Sequence, residues 1–166
     1  KISVELDDET QRISGEETIT YHNNSPDVLD YLWVQLDQNM RAKDSDTYKV
    51  RQNSISKRMS SKEIKQLIPE FDGGFKIDFV KGMDGTDLEV AIVKTMMRVN
   101  LPTSLKPNES FSFQIKWWYN INNRMEIGGR SGYEYFPEDG NYLYTIAQFF
   151  PRMAVYSDDE GWQNKQ

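Results

Sequence analysis

Few residues of this 166-residue sequence have side chains that commonly carry out catalysis or bind transition metals. The sequence contains one histidine, His22, and no cysteine. Proteins hold zinc mainly through histidine, cysteine and carboxylate groups, so a zinc site formed by this chain alone would depend almost wholly on carboxylates. No Gly-x-Ser-x-Gly segment accompanies His22 to form a nucleophile elbow. We therefore predict no catalytic residue and no metal ligand in this chain, and an ordinary strand-end position for His22.

Acidic side chains are concentrated in three short segments, residues 7–9, 44–46 and 158–160. None of them follows the alternating oxygen ligands with a central glycine that form an EF-hand calcium loop. Solvated turns are the expected role of these segments, and calcium binding is the alternative. Glycoside hydrolysis cannot be assigned to any pair of carboxylates, because that chemistry depends on their separation in space.

Two adjacent tryptophans, Trp117 and Trp118, lie in a predicted strand. Neighbouring residues of a strand point to opposite faces, so we expect one indole in the core and one on the other face. The second indole has two possible roles. It could stack on a sugar ring, as in a binding module, or it could pack beneath a loop or against a neighbouring domain.

The segment YTIAQFFPRMAVY, residues 144–156, begins with strand-like alternation and then places Gln148, Phe149, Phe150 and Pro151 in succession. One interpretation is structural: the two phenylalanines pack on opposite sides of a terminal strand, and Pro151 ends it because proline has no amide donor. In the other interpretation Gln148 has a function. The residues alone leave both open.

Composition argues against two classes of partner. Lys and Arg together number 20, against 26 Asp and Glu, and the net charge is −6. No segment concentrates enough basic side chains to neutralise a row of phosphates, so we predict no nucleic-acid partner. No apolar run approaches the ~20 residues of a membrane-spanning helix, so we predict no membrane span in this chain.

Most of the elements that must position these residues are predicted to be strands, because apolar and polar residues alternate with a period of two. The predicted strands and hairpins lie at residues 2–23, 28–36, 75–94, 96–102, 110–120 and 142–149. The strand at 28–36 is apolar at both parities, so we expect it to be covered on both faces. Residues 75–94 are expected to form a hairpin closed by an Asp84–Gly85 turn.

Two segments depart from this pattern. Residues 40–72 form a polar excursion, in which a capping box of Ser60 and Glu63 predicts one short helix at 60–69. Residues 120–141 are rich in glycine and asparagine and are expected to be a connection. About eight short strands and one short helix predict an all-β fold, either an antiparallel β-sandwich or a saddle-shaped curled sheet.

Two long runs, ISGEETITYHNNSPDVLDYLWVQLDQN and GYEYFPEDGNYLYTIAQFFPRMAVYSDDEGWQ, carry a resemblance to a known family. They resemble the N-terminal domain of zinc-dependent aminopeptidases of the aminopeptidase N family, within the gluzincin clan, and in particular its bacterial branch. The resemblance extends from about residue 4 to residue 162 and leaves the excursion at 40–72 unmatched. It implies that residues 1–166 are a single β-sandwich domain, truncated at its C-terminal end. A thermolysin-like catalytic domain with the zinc motif His-Glu-x-x-His would follow in the parent protein.

The resemblance also implies the site residues. Gln148 and Phe150 would contact a peptide substrate, because in the family a strand end at this place reaches the active-site cleft. Phe150 stands where Glu or Gln is common, so the pocket would be more apolar. Phe149, Pro151 and Arg152 would form the interface with the catalytic domain of the same polypeptide. Zinc would belong to the parent enzyme, and the 166 residues alone would be inactive.

Two other functions stay open at this point. The chain could be a free-standing carbohydrate- or peptide-binding β-sandwich with an aromatic platform that includes Trp117 or Trp118. It could also be an interaction domain with a purely structural role. The compartment is open as well, with a lean towards an exported protein, because relatives in the bacterial branch are often exported.

Overall fold

The protein has an all-β fold, as predicted, made of antiparallel sheets. The computed structural model describes residues 1–47, 60–61, 70–127 and 129–164. The strands are β1 (Ile2–Asp7), β2 (Arg12–His22), β3 (Leu29–Gln35), β4 (Lys76–Gly82), β5 (Val90–Val93), β6 (Met96–Leu105), β7 (Ser110–Asn120), β8 (Gly132–Phe136), β9 (Asn141–Thr145), β10 (Arg152–Met153), β11 (Tyr156–Ser157) and β12 (Gly161–Trp162). The first sheet has the order β1-β2-β7-β4 and the second β10-β3-β6-β5, while β8-β9 and β11-β12 form two smaller sheets.

The core of the first sheet comes from the alternation of β2 and β7. In their register Ile13 lies opposite Tyr119 and Gly15 lies opposite Trp117. Trp117 is fully buried, and a Cβ atom on Gly15 would stand 2.5 Å from its indole ring. Glycine is therefore needed at position 15, because any side chain there would displace the largest side chain of the core.

The second sheet closes the other side of the same core. Leu32 pairs with Val99 and Val34 pairs with Met97, and all four side chains are fully buried. The prediction that β3 is covered on both faces is only partly right. Its outward residues, including Tyr31, are half-buried. On that face the described residues form no further layer, and Tyr31 is covered only by neighbouring side chains such as Arg98, which stacks on its ring.

The predicted hairpin at residues 75–94 is wrong beyond its turn. The turn forms, with the Gly82 amide donating to the Thr86 carbonyl, but β4 pairs with β7 and β5 pairs with β6 in the other sheet. The chain crosses between sheets after Leu88, whose amide donates to Val80. Strand β4 thus pairs with a strand distant in sequence, whereas β5 pairs with the next strand along the chain, and local alternation cannot indicate either partner.

Two further elements differ from the predictions around the candidate site. The predicted connection at 120–141 contains a short helix, Arg124–Ile127, and strand β8. The strand predicted at 142–149 ends at Thr145, because β9 pairs only with β8, in a hairpin of its own. Most of the helix predicted at 60–69 lies outside the described residues. A 3₁₀ helix, Asp37–Arg41, follows β3 and is important for the site.

Candidate functional site

Gln148 lies at an exposed bend where the chain leaves the β8–β9 hairpin. Its backbone is in the left-handed region, with φ = 52°, which costs a residue other than glycine free energy and requires support from the surroundings. The Gln148 side chain is exposed, whereas the residues before and after it are half-buried. The amide is thus presented at an open rim of the sandwich.

A buried glutamine supports this bend. Gln38, in the 3₁₀ helix, is 3% exposed, and its Nε2 atom donates to the carbonyl oxygens of Ala147 at 3.0 Å and Gln148 at 3.2 Å. Its Oε1 atom accepts a hydrogen bond from Arg41 Nη1 at 3.0 Å. Both ends of the Gln38 amide are satisfied, so the rotamer is held and the two carbonyl groups have fixed positions.

Ser131 supports the same bend from the other side. The Ala147 amide donates to Ser131 Oγ at 3.1 Å, and Ser131 is buried. Ser131 lies directly before Gly132, whose φ of 148° and close approach to Asn122 set the start of β8. A Cβ atom on Gly132 would lie 2.7 Å from the Asn122 carbonyl oxygen. The backbone of Ala147 and Gln148 is therefore held from two distant parts of the chain.

The downstream end of the segment is held by an ion pair. Arg152 donates from Nε to Asp37 Oδ2 at 2.7 Å and from Nη2 to Asp37 Oδ1 at 3.2 Å. The hydrogen bond that Arg152 donates to Asp37 raises the pKa of Arg152. Arg152 also pairs with Gln35 as the first residue of β10. Asp37 and Gln38 are adjacent, so one turn of 3₁₀ helix holds both ends of the segment.

The expected interface residues differ in their exposure. Phe149 and Phe150 are half-buried, with ring centroids 5.0 Å apart, and both pack against the core while part of each ring stays open. Arg152 is exposed. Pro151 is fully buried within this chain, so a direct contact of its ring with a second domain is ruled out by burial. Pro151 is therefore removed from the expected interface.

Beside this rim stands a ladder of four tyrosines on one face of the β8–β9 hairpin. We call Tyr133, Tyr135, Tyr142 and Tyr144 the tyrosine ladder. Tyr133 lies opposite Tyr144 and packs with it on the core, while Tyr135, opposite Tyr142, is 49% exposed. Residues 131–151 contain three acidic residues and no Lys or Arg. The hairpin therefore presents an aromatic and acidic surface next to Gln148.

The two tryptophans lie on opposite faces of β7, as strand geometry predicts. Trp117 lies in the core against Phe75, with ring centroids 5.6 Å apart. Trp118 is half-buried, and the Arg12 guanidinium carbon lies 4.1 Å from the centroid of its ring. Neither indole is an open platform for a sugar, because one is buried and a face of the other is occupied.

The remaining candidates have structural roles. His22 Nδ1 and Ser110 Oγ lie 2.6 Å apart as a cross-strand pair at exposed positions. Asp7 accepts hydrogen bonds from Thr10, which lower the pKa of Asp7 and close the turn after β1. In the part of the chain that the structure describes, no group of three or more His, Cys, Asp or Glu side chains could hold a metal ion.

The burial of one carboxyl group, that of Glu17, was not predicted from the sequence. Glu17, on β2, is 3% exposed and lies on the core face, opposite Ile115 of β7. Its Oε1 atom has no hydrogen-bond partner among the described residues. Burial raises the pKa of Glu17 to about 8. In the sequence, Glu17 is an even number of residues from Ile13 and Ile19, so it lies on the same face of the strand as these apolar residues. This spacing was the available signal of its burial.

Comparison with known proteins adds no family assignment: no protein-family model matches the chain, and no curated protein sequence matches it. No helix of the described ranges is long and apolar enough to cross a membrane. Sequence reasoning identified Gln148 but missed its supports Asp37, Gln38 and Ser131. The available signal was the run of polar residues directly after the apolar strand β3.

Proposed function

We propose that this chain is the non-catalytic N-terminal domain of a zinc-dependent aminopeptidase of the aminopeptidase N family. In this role it supports the catalytic domain and lends the bend at Gln148 to the cleft that receives peptide N-termini. The single observation that carries the proposal is the supported, exposed position of Gln148 within a segment that resembles the substrate-contacting strand end of that family.

The support around Gln148 suits a binding role. A group that must orient a substrate needs a fixed backbone, because small displacements weaken the contacts made in the transition state. Gln38 and Ser131 hold the backbone on both sides of the bend, while the Gln148 side chain stays in solvent. A structural glutamine would instead place its own amide in the interior, as Gln38 does.

The chemistry of the rim fits a peptide N-terminus. The Gln148 amide can accept a hydrogen bond from a terminal ammonium group and donate one to the first carbonyl oxygen. The acidic residues of the neighbouring hairpin attract a positive terminus, and no Lys or Arg in residues 131–151 opposes it. Phe150 adds a half-buried apolar surface for the first side chain of the substrate.

The catalytic domain needs a surface on this chain, and exposed aromatic groups provide one. Phe149 and Phe150 leave part of their rings open, and on the neighbouring hairpin Tyr135 is 49% exposed and Tyr142 is 42% exposed. Exposed aromatic groups of this kind are common at contact sites of soluble proteins. Arg152 remains at its edge and keeps its place in the interface that we propose.

The substitution Gln148→Ala in the parent enzyme tests this proposal. Loss of one substrate hydrogen bond is expected to lower kcat/KM by about 1 to 3 kcal/mol of transition-state stabilisation, roughly five- to 150-fold. Alanine keeps a Cβ atom in the left-handed region, so the backbone strain of the wild type is retained. Gln163→Ala, at an exposed position, is the control. Unchanged kcat/KM in Gln148→Ala would remove Gln148 from the substrate site.

The alternative is a free-standing module that binds a sugar or peptide. The observation that favours it is the exposed outer half of the tyrosine ladder, Tyr135 and Tyr142, since Trp117 is buried and Arg12 occupies a face of Trp118. The parent gene distinguishes the two functions. A His-Glu-x-x-His motif downstream of residue 166 supports the peptidase, and a stop codon or an unrelated domain supports the module.

A further inference from the structure

Strand β1 has an open edge and an uncovered apolar side. It is the terminal strand of the first sheet and pairs only with β2. Ile2, Val4 and Leu6 lie opposite Glu17, Gly15 and Ile13, so they share the face of the sheet that lines the core. They are nevertheless 39%, 45% and 43% exposed, because the described part of the second sheet does not extend over them.

The direction of the free backbone groups follows from the pairing of Lys1. The Lys1 nitrogen donates to the Thr18 carbonyl oxygen, and the Thr18 amide donates to the Lys1 carbonyl oxygen, both at 2.8 Å. In an antiparallel pair such doubly bonded residues alternate with residues whose groups point away. The amide and carbonyl groups of Ile2, Val4 and Leu6 therefore point to the open edge.

The other edge strands of the two four-stranded sheets are poorer templates for pairing. Strand β4 has a register shift between Ile77 and Phe79 and bears Lys76 and Lys81, which are the features by which proteins protect an edge. Strand β10 has only two residues and β5 only four. Strand β1 has six residues in unbroken register with β2.

We propose that β1 pairs antiparallel with β1 of a second copy of this chain, around a twofold axis at Val4. In this register Val4 faces Val4 of the second copy, and Ile2 faces Leu6 in both directions. All the residues whose backbone groups point outward then face each other, which gives three doubly bonded pairs. A neighbouring register, in which Val4 faces Leu6, gives fewer such pairs and sets Glu5 against Glu5.

Charge complementarity supports a second copy as the occupant. In the proposed register Lys1 stands opposite Asp7 of the second copy at both ends of the ribbon, and Ser3 stands opposite Glu5. Cross-strand pairs of opposite charge stabilise a sheet, and like charges destabilise it. The apolar side chains at positions 2, 4 and 6 meet their counterparts on the inner face. One strand that is complementary to itself satisfies the requirement of an isologous interface. This association is independent of the function proposed above.

Sedimentation equilibrium over concentrations from about 1 μM to 1 mM tests the proposal. The chain is expected to show a reversible monomer–dimer equilibrium. Val4→Pro removes an amide that points to the open edge and leaves the bonds to β2 intact. It is expected to weaken the dimer at least about tenfold, because one backbone hydrogen bond is lost from each copy. Val4→Lys, which sets two ammonium groups across the axis, is expected to do the same.

The control for both variants is Ile92→Lys on β5, the edge of the other sheet, where Ile92 is 48% exposed. Its dimerisation is expected to match that of the wild type. Urea unfolding of each variant establishes that it is folded. A wild-type chain that stays monomeric throughout overturns the proposal. So does a dimer that survives both Val4 variants, or one that Ile92→Lys abolishes.

Cross-linking tests the register directly. The chain has no cysteine, so Val4→Cys introduces a single thiol that faces its own counterpart across the axis. At a protein concentration at which sedimentation shows mostly dimer, the facing thiols are held together, so the disulfide is expected to form at least about tenfold faster than in Ile92→Cys. Equal rates in the two variants contradict the proposed pairing.

Discussion

At the residue scale, the candidate site depends on the amide of Gln38, which is buried beneath the bend at Gln148. Gln38 donates to two consecutive carbonyl groups and accepts from Arg41. The side chain of Gln148 can therefore stay in solvent, because Gln38 and Ser131 hold the backbone of the bend. Two glutamines thus have separate tasks, one inside the fold and one at its rim.

Replacement of Gln38 by leucine is expected to lower the free energy of unfolding by about 1 to 3 kcal/mol. The apolar side chain fills a similar volume but leaves the carbonyl groups of Ala147 and Gln148 without their donor. Urea unfolding followed by tryptophan fluorescence measures the change. Gln163→Leu at an exposed position should change stability by less than about 0.5 kcal/mol. Equal losses in the two variants would show that the buried amide supports nothing.

The buried carboxyl group of Glu17 predicts a pH dependence of stability. Burial raises its pKa from 4.5 to about 8 in the folded protein. Between these values the folded protein binds more protons at Glu17 than the unfolded chain does, so the stability that Glu17 contributes is fully present below pH 4.5 and is lost as the pH rises through about 8. The loss contributed by Glu17 is about 3 to 5 kcal/mol, at about 1.4 kcal/mol per pKa unit.

Glu17→Gln removes this titration and keeps the shape of the side chain. We expect its stability to fall much less than that of the wild type between about pH 5 and pH 9. Urea unfolding at several pH values is the measurement, and Glu16→Gln on the exposed face of the same strand is the control. The prediction fails when Glu17→Gln and wild type lose stability in parallel.

At the scale of elements, the β8–β9 hairpin takes its position from the backbone of Gly132. The φ of 148° and the contact with the Asn122 carbonyl leave no room for a side chain. The hairpin in turn carries the tyrosine ladder and leads into the bend at Gln148. A change at Gly132 therefore affects the rim although Gly132 lies outside it.

Gly132→Ala is expected to destabilise the protein by about 1 to 3 kcal/mol through backbone strain and a steric clash. Gly140→Ala separates the two causes, because Gly140 also has positive φ, 64°, but a Cβ atom there meets nothing within 4 Å. Thermal and urea unfolding of both variants measures the difference. Gly132→Ala must lose more stability than Gly140→Ala, or the contact with Asn122 is unimportant.

At the scale of the whole molecule, the described part of the sandwich presents a rim at Gln148 and, beside it, the aromatic surface of the β8–β9 hairpin. The two four-stranded sheets share one core, and the 3₁₀ helix and the hairpin meet at one edge of it. The arrangement suits a domain that completes a cleft formed with another domain.

The 166 residues alone are expected to bind no stoichiometric zinc and to hydrolyse no aminoacyl amide. A single histidine cannot supply the two that a His-Glu-x-x-His site requires. Metal analysis after dialysis against zinc, together with an aminoacyl amide assay, measures both properties, and the parent enzyme is the positive control. One bound zinc per chain, or turnover by the chain, would refute the assignment of chemistry to another domain.

Local pattern was sufficient to predict the fold class and several strands. The alternation of Phe113, Ile115 and Trp117 predicted β7, and the pattern around Ile13 and Ile19 predicted β2, because every second side chain of a strand meets the core. The exposed end of the segment at Gln148 was also expected from the sequence, through its resemblance to a family.

Tertiary structure alone decided which strands are neighbours and what supports the site. Strands β4 and β5 follow each other in sequence but lie in different sheets, and Gln38 reaches a carbonyl group 109 residues away. The high pKa of Glu17 likewise arises from burial by the assembled sheets. A period of two shows which face of a strand is buried, because that depends on the strand itself. Its partner depends on the packing of the whole chain.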